Sequence, residues 1–209
     1  MDKDNLQIIK NNLKQRLSRE TYCGNAFHLA KEHLLGSFLC SSINNELTVG
    51  MITELEVYVG SHDKASHAYP NKRTPRTVTI FGAGGHAYVT LIYGMYSQFN
   101  IVAEPEGTAT AILIRSIEPV VGIDTMIQRR KSSNVANLTT GPGKLCQAMG
   151  ISYKMHNGID LIGNEVWVSP KLSDYEYVES KRIGIDYAEE YRDKLWRFYL
   201  KDNSFISKK

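Results

Sequence analysis

Apolar residues recur along this chain with two periods, and the switch between them divides it. Near the start, Leu6, Ile9, Leu13 and Leu17 are spaced three or four apart among Lys, Asn and Gln. That spacing predicts an amphipathic helix over residues 5–18, packed on the edge of a domain. A second helix, over roughly 25–35, carries Phe27, Leu29, Ala30, Leu34 and Leu35 and stops at Gly36, a C-cap residue. Beyond Gly36 the period becomes two. Phe38-Leu39-Cys40 begins a strand, Ile43-Asn44-Asn45-Glu46 turns it, and Leu47, Val49 and Met51 lead into Thr53-Glu54-Leu55-Glu56-Val57-Tyr58-Val59-Gly60. Strand side chains alternate between faces, so Leu55 and Val57 share one face while Glu54, Glu56 and Tyr58 share the other. Two carboxylates on one face of an otherwise apolar strand are costly unless something pairs with them or uses them.

Residues 60–78 form a long polar stretch in which Lys72, Arg73 and Arg76 place three cations within five positions. A loop of this length is functional or mobile more often than neutral, and cations beside a carboxylate-bearing strand suit phosphate contact as well as plain solvation. Thr77 to Phe81 is β-branched and leads into Gly82-Ala83-Gly84-Gly85-His86-Ala87. A dinucleotide fingerprint would require a helix next, whereas Tyr88-Val89-Thr90-Leu91-Ile92-Tyr93 reads as a strand. The glycines therefore make a turn between strands. Tyr93-Gly94-Met95-Tyr96 reads as the tip of a protruding hairpin, where an exposed aromatic could act as a wedge in a nucleic-acid duplex or fold back on its own sheet.

Thr110 to Ile117 is almost wholly apolar, as in a central strand, and Glu118-Pro119 is expected to end it. Arg115 within that run must meet a carboxylate or a bound anion. A helix is expected over 121–131 and another from Leu145 to Met149, opened by Thr139-Thr140-Gly141-Pro142-Gly143-Lys144. The spacing is wrong for a Walker A loop, but a glycine-rich helix start with Lys144 can bind one backbone phosphate. Val166-Trp167-Val168 is a further strand. Residues 182–185 and 196–200 are expected as the last two strands, joined by a charged turn, with 206–209 frayed. No regular alternation of strands with long helices is present, so a Rossmann-like sheet is excluded. The expected fold is mixed α/β (α+β): a single domain over 21–209 with a curved, largely antiparallel β-sheet flanked by helices, preceded by a helical extension over 1–20.

Bulk properties narrow the class only slightly. The chain has 209 residues, a net charge of +3 and 22% charged residues. That balance permits an anionic partner without requiring one. Cys23, Cys40 and Cys146 are few, odd in number and far apart, which excludes a disulfide framework or a cysteine zinc site and fits a reducing compartment. A polar start without an apolar h-region argues against secretion, and no apolar run approaches a membrane span. A cytoplasmic location, at the nucleoid in a bacterium, or a nuclear one is expected.

Several blocks together resemble the alkyladenine (3-methyladenine) DNA glycosylase family. They are Leu34-Leu35-Gly36, Glu54 to Tyr58, Ala65-Ser66-His67, Arg73-Thr74-Pro75-Arg76, Tyr93 to Tyr96, Asn100, Leu113 to Pro119, Gly141 to Leu145, Arg182 to Ile185 and Trp196-Arg197-Phe198, in that order. The resemblance runs from about Ala26 to about Ser207. It implies a monofunctional enzyme that flips an alkylated or deaminated purine out of double-stranded DNA and hydrolyses its N-glycosidic bond, without lyase chemistry, metal or organic cofactor, acting as a monomer. By the resemblance, Glu56 is the general base and Arg115 helps position the attacking water. Tyr58 and His67 hold the flipped base, Asn100 disfavours guanine and Tyr93 is the wedge. Met95 beside it at the hairpin tip, with Lys72, Arg73, Arg76 and Lys144, supplies the DNA-binding set. The sequence departs from the family at Thr90, where a second stacking aromatic is usual; Tyr88 could fill in, and on this reading Thr90→Tyr would tighten lesion binding. Two other readings stay open on the residues: a damage-binding module that does not cut, and a hydrolase of free nucleosides.

Overall fold

The thirteen residues Glu46–Tyr58 form β2, the strand on which the sheet is built. In the computed structural model, which describes residues 11–208, β2 pairs antiparallel with β5 (Thr110–Val121) along one edge. Its other edge is shared. β1 (Phe38–Ile43) covers the first half through the predicted Asn44-Asn45 turn, and β8 (Arg197–Leu200) covers Glu54 to Glu56. Beyond β5 lie β4 (Tyr96–Ala103) and β3 (Ala87–Ile92); beyond β1 lies β6 (Val166–Ser169), and β7 (Tyr177–Ser180) pairs with β8. Every pairing is antiparallel, giving an open eight-strand sheet among the described residues.

Helices pack against this sheet. α1 is Arg19–Tyr22, and α2 begins as Ala26–His28 and continues as a π-helical turn, Leu29–Leu34, before Gly36 adopts a φ of +84°. α3 is Ile123–Arg130, α4 Pro142–Met149 and α5 Tyr153–His156. The main core takes Leu55 and Val57 of β2, Ile112 and Ile114 of β5, Phe99 and Ile101 of β4, and Leu145, Ala148 and Met149 of α4. Each such aliphatic side chain contributes about 1.5–3 kcal/mol on burial. That contribution fixes the register of β2, because a one-residue slip would send Leu55 and Val57 to the opposite face. The alternation read from the sequence is thus what turns Glu54 and Glu56 away from the core.

Four expectations are corrected. Of the helix expected over 5–18, residues 5–10 lie outside the described residues, and from Leu13 the chain turns and leaves the helix, with Leu17 N–H donating to the Val168 carbonyl (3.1 Å). Val78–Phe81 is a 3₁₀ turn and not a strand, because Thr74 and Thr77 hydrogen-bond each other's backbone N–H. Pro119 does not end β5. It sits opposite Gly50 in the regular register, a register shift follows between Gly50 and Val49, and the strand runs on to Val121. Residues 182–185 are a loop and not a strand: Arg182 is buried against Asp63, and Gly184 has a φ of +75°. The strand that pairs with β8 lies earlier, at Tyr177–Ser180.

Candidate active site

Antiparallel pairing carries one row of residues across five strands. Tyr88 sits opposite Asn100, Asn100 opposite Leu113, Leu113 opposite Glu56, and Glu56 opposite Arg197. Directly opposed residues share a face, so these five project to the same side. Above that side lies a cavity of about 620 Å³, whose wall includes Tyr58, His67, Arg76, Tyr88, Asn100 and Arg115, with Ile183 and Tyr187 contributed by the 182–188 loop.

Glu56 is fully buried just behind this wall, and three wall groups converge on its carboxylate. The Tyr58 hydroxyl donates to Oε2 at 2.7 Å, Arg115 Nη1 donates to Oε2 at 3.3 Å, and the Ile183 backbone N–H donates to Oε1 at 2.8 Å. Glu54, two residues earlier, is also fully buried and is saturated by donors from Arg115, Arg197, Ser116 and Ser207. The two carboxylates therefore differ in kind. Apart from the shared Arg115, the donors on Glu54 lie outside the cavity wall, whereas the three donors on Glu56 all belong to it.

Burial opposes the charge on Arg115, but Glu56 and then Glu54 outweigh it and raise its pKa. Burial, followed by the Glu56 charge, lifts the Tyr58 phenol well above its ordinary range, so its proton stays on the hydroxyl that Glu56 accepts from. Tyr88 is pushed up to about 12, chiefly by burial, and its hydroxyl lies 3.1 Å from His67 Nδ1. The His67 ring keeps an exposed side, yet desolvation against the wall and then Arg76 lower its pKa, which favours a neutral imidazole. The Asn100 amide nitrogen donates to the Tyr88 carbonyl at 2.9 Å, which fixes this side chain in the wall.

The remaining expected residues fall in three places. Tyr93 and Met95 occupy the tip between β3 and β4, 87% and 71% exposed, with Tyr93 and Gly94 both at positive φ as a tight hairpin turn requires. Arg76 reaches the cavity and donates to the Leu91 carbonyl, while Lys72 and Arg73 stay exposed outside it, Arg73 lying 4.1 Å over the Phe81 ring. Lys144 does not join the main cavity. It lines an adjoining hollow of about 440 Å³ with Tyr93, Tyr96 and Arg130, between the hairpin and the start of α4, and its ammonium meets Asn137.

Thr90 is not brought to the cavity. It lies on the face of Tyr88, two residues along β3, yet is 1% exposed and absent from the wall, and its hydroxyl has no hydrogen-bond partner among the described residues. Tyr88 supplies an aromatic wall instead. The residues that sequence reasoning passed over are Ile183, whose backbone N–H binds Glu56, and Tyr187 on the rim. The 182–185 block contains Ile183, but a backbone donor leaves no mark in residue type, and Tyr187 lies beyond that block.

Beneath the wall, Asp63 and Arg182 form a fully buried pair. Arg182 Nη1 and Nη2 meet the carboxylate at 2.5 and 2.9 Å, and the guanidinium carbon lies 4.6 Å over the Tyr58 ring. Among the described residues no group of three His, Cys, Asp or Glu side chains is arranged to hold a metal ion. No described helix is long and apolar enough to cross a membrane.

Comparison with known proteins places the chain in a family. The chain is 49% identical over 203 residues to a protein of Alkaliphilus oremlandii, an alignment covering 93% of this chain and all of that one. It is 46% identical over 201 residues to a protein of Clostridium acetobutylicum, covering 92% of this chain and 97% of the other, and 48% identical over 206 residues to one of Clostridium perfringens, covering 93% and 100%. All three are provisionally named 3-methyladenine DNA glycosylases. The profile described as methylpurine-DNA glycosylase (MPG) matches residues 20–204. With both the matched profile and the relatives spanning most of its length, this chain belongs to the methylpurine-DNA glycosylase family.

Proposed function

We propose that this DNA glycosylase excises alkylated or deaminated purines of the 3-methyladenine and hypoxanthine type, and that Glu56 is its general base. The reading rests above all on Glu56: a buried carboxylate whose three donors, Tyr58, Arg115 and the Ile183 N–H, all line one cavity. The damaged nucleotide turns out of the duplex into that cavity, between Tyr58 and Tyr88, and Tyr93 occupies the gap it leaves. Glu56 takes a proton from a water held beside Arg115. The water oxygen forms a bond to C1′ as the C1′–N bond breaks, and the electron pair of that bond leaves with the base. A carboxylate serves twice here, accepting the proton and stabilising the positive charge that develops on the sugar. A cationic alkylated base leaves neutral, and a deaminated base leaves as an anion that takes up a proton from solvent; the products are a free base and an abasic site in an uncut strand. The cations at Lys72, Arg73, Arg76 and Lys144 hold the duplex backbone. The enzyme acts as a monomer.

The test is base release from a duplex carrying one hypoxanthine or 3-methyladenine, with wild type and Glu56→Gln side by side. Wild type is expected to release base and leave the strand intact, and Glu56→Gln to lose activity by about 10²–10⁴-fold. Tight lesion binding by wild type without release would instead make the chain a binding module. Equal release from a free nucleoside, insensitive to salt, would make it a small-molecule hydrolase.

A further inference from the structure

The segment expected to fray lies across the carboxylate network. The Thr53 hydroxyl donates to the Phe205 carbonyl, and Asn203 donates to Glu118 at 2.8 Å. Ser207 N–H donates to Glu54 Oε2 at 2.5 Å, and the Ser207 hydroxyl donates to Glu54 Oε1 at 2.8 Å. That same hydroxyl accepts from Arg115 Nε and Nη2, at 3.3 and 3.2 Å, and Arg197 closes the strap through the Lys208 carbonyl. Phe205, Ser207 and Lys208 lie beyond the 20–204 stretch matched by the family profile.

We propose that Ser207 is a positioning residue for base excision, acting through Arg115. The inference rests on the proposed role of Glu56 and Arg115. The Arg115 guanidinium divides its donors: Nε goes to Glu54 and Ser207, Nη2 to Ser207, and Nη1 to Glu56. Glu54 holds one corner of this planar group, and the Ser207 oxygen holds the edge facing away from Glu56. A planar fork fixed at one corner can still pivot, and here a pivot swings Nη1 away from the Glu56 oxygen and from the water the pair would hold. Small displacements of a positioning group carry large rate penalties, so the hydroxyl at position 207 sets the rate without touching substrate.

The test is single-turnover release of hypoxanthine from a duplex by full-length wild type, Ser207→Ala and Ser207→Thr. The dissociation constant for the lesion duplex and the melting temperature are read alongside. Ser207→Ala is expected to slow release about three- to tenfold while the dissociation constant stays within about twofold, and Ser207→Thr, which keeps the hydroxyl, to restore the rate. An unchanged rate in Ser207→Ala would overturn the proposal. So would a loss that follows melting temperature and is not rescued by threonine, which would reduce Ser207 to an anchor of the strap. If wild type itself releases no base, the glycosylase reading of the cavity falls first and this inference falls with it; release by wild type with an unaffected Ser207→Ala sinks the inference alone.

Discussion

Replacing Asp63 by alanine would strip the counter-ion from a cation that has no exposure to solvent. Arg182 and Asp63 side chains are both fully buried, and the aspartate also accepts the backbone N–H groups of Val59 and Ala65, at 3.2 and 3.0 Å. Without the carboxylate, Arg182 keeps its donations to the Val57 and Tyr191 carbonyls but carries an unbalanced charge. Removing one partner of a buried pair costs about 3–5 kcal/mol. Domains of this kind are stable by about 5–15 kcal/mol in total, so the loss is a large share. With a urea slope of about 3 kcal/mol per M, the unfolding midpoint should fall by about 1–1.7 M. Trp196, whose ring lies 5.0 Å from the Arg182 guanidinium carbon, gives a local fluorescence signal to set beside circular dichroism. The double variant Asp63→Ala with Arg182→Met removes the stranded charge and should recover about half or more of the loss. A midpoint shift under about 0.3 M in the single variant, or a double variant that simply sums the two losses, would refute the account of a charge balanced in the interior.

Three further outcomes follow from the site. Tyr93→Ala should leave stability within about 0.5 kcal/mol, because the side chain is almost fully exposed, while weakening lesion-duplex binding in a gel-shift titration; unchanged affinity would count against the wedge. Thr90→Tyr should lower stability by at least about 1–3 kcal/mol in a urea melt, because Thr90 is enclosed, so tighter lesion binding without loss of stability would contradict its placement. His67 has a folded pKa below its unfolded value of about 6.5, so the unfolded chain binds the extra proton and stability is lost as pH falls from about 6.5 through the folded pKa. Melting temperatures at pH 5.5 and 7.5 should differ less in His67→Gln than in wild type, and an equal difference would assign the acid sensitivity elsewhere.

The parts of the site legible in the sequence are those where side-chain chemistry and strand period agree. Glu54 and Glu56 alternate with Leu55 and Val57, and both carboxylates are buried opposite the core face, as that pattern demands. Arg115 in an apolar strand required a carboxylate and has two. Tyr93 beside Gly94 marked the hairpin tip. What stayed hidden depends on backbone or on distant partners. The 182–185 stretch has the composition of a strand, but its Arg182 is spent on Asp63 and its Ile183 N–H on Glu56. Pro119 normally breaks a ladder, yet here it pairs with Gly50 beside a register shift and the strand continues; a Cβ on that glycine would lie 2.4 Å from Ile117 Cδ1. The lysine-ended tail looks like a frayed end by composition, and nothing local reveals that its Ser207 donates twice to Glu54, about 150 positions earlier.

The shared edge of β2 bears on when the enzyme can first act. Glu54 meets Ser116 sixty-two positions later, but its bond to Arg197 spans 143 positions. At a synthesis rate of about 5–20 residues per second, those 143 positions take roughly 7–30 seconds to be made. Until β8 arrives, the second half of β2 offers an open edge, and the carboxylate face holds two acids against the single cation Arg115. A nascent chain can complete the β1–β2–β5 scaffold early, yet the constellation around Glu56 waits for the late segment that supplies Ile183 and Arg197. If Glu56 is the general base proposed above, excision must wait for that late segment.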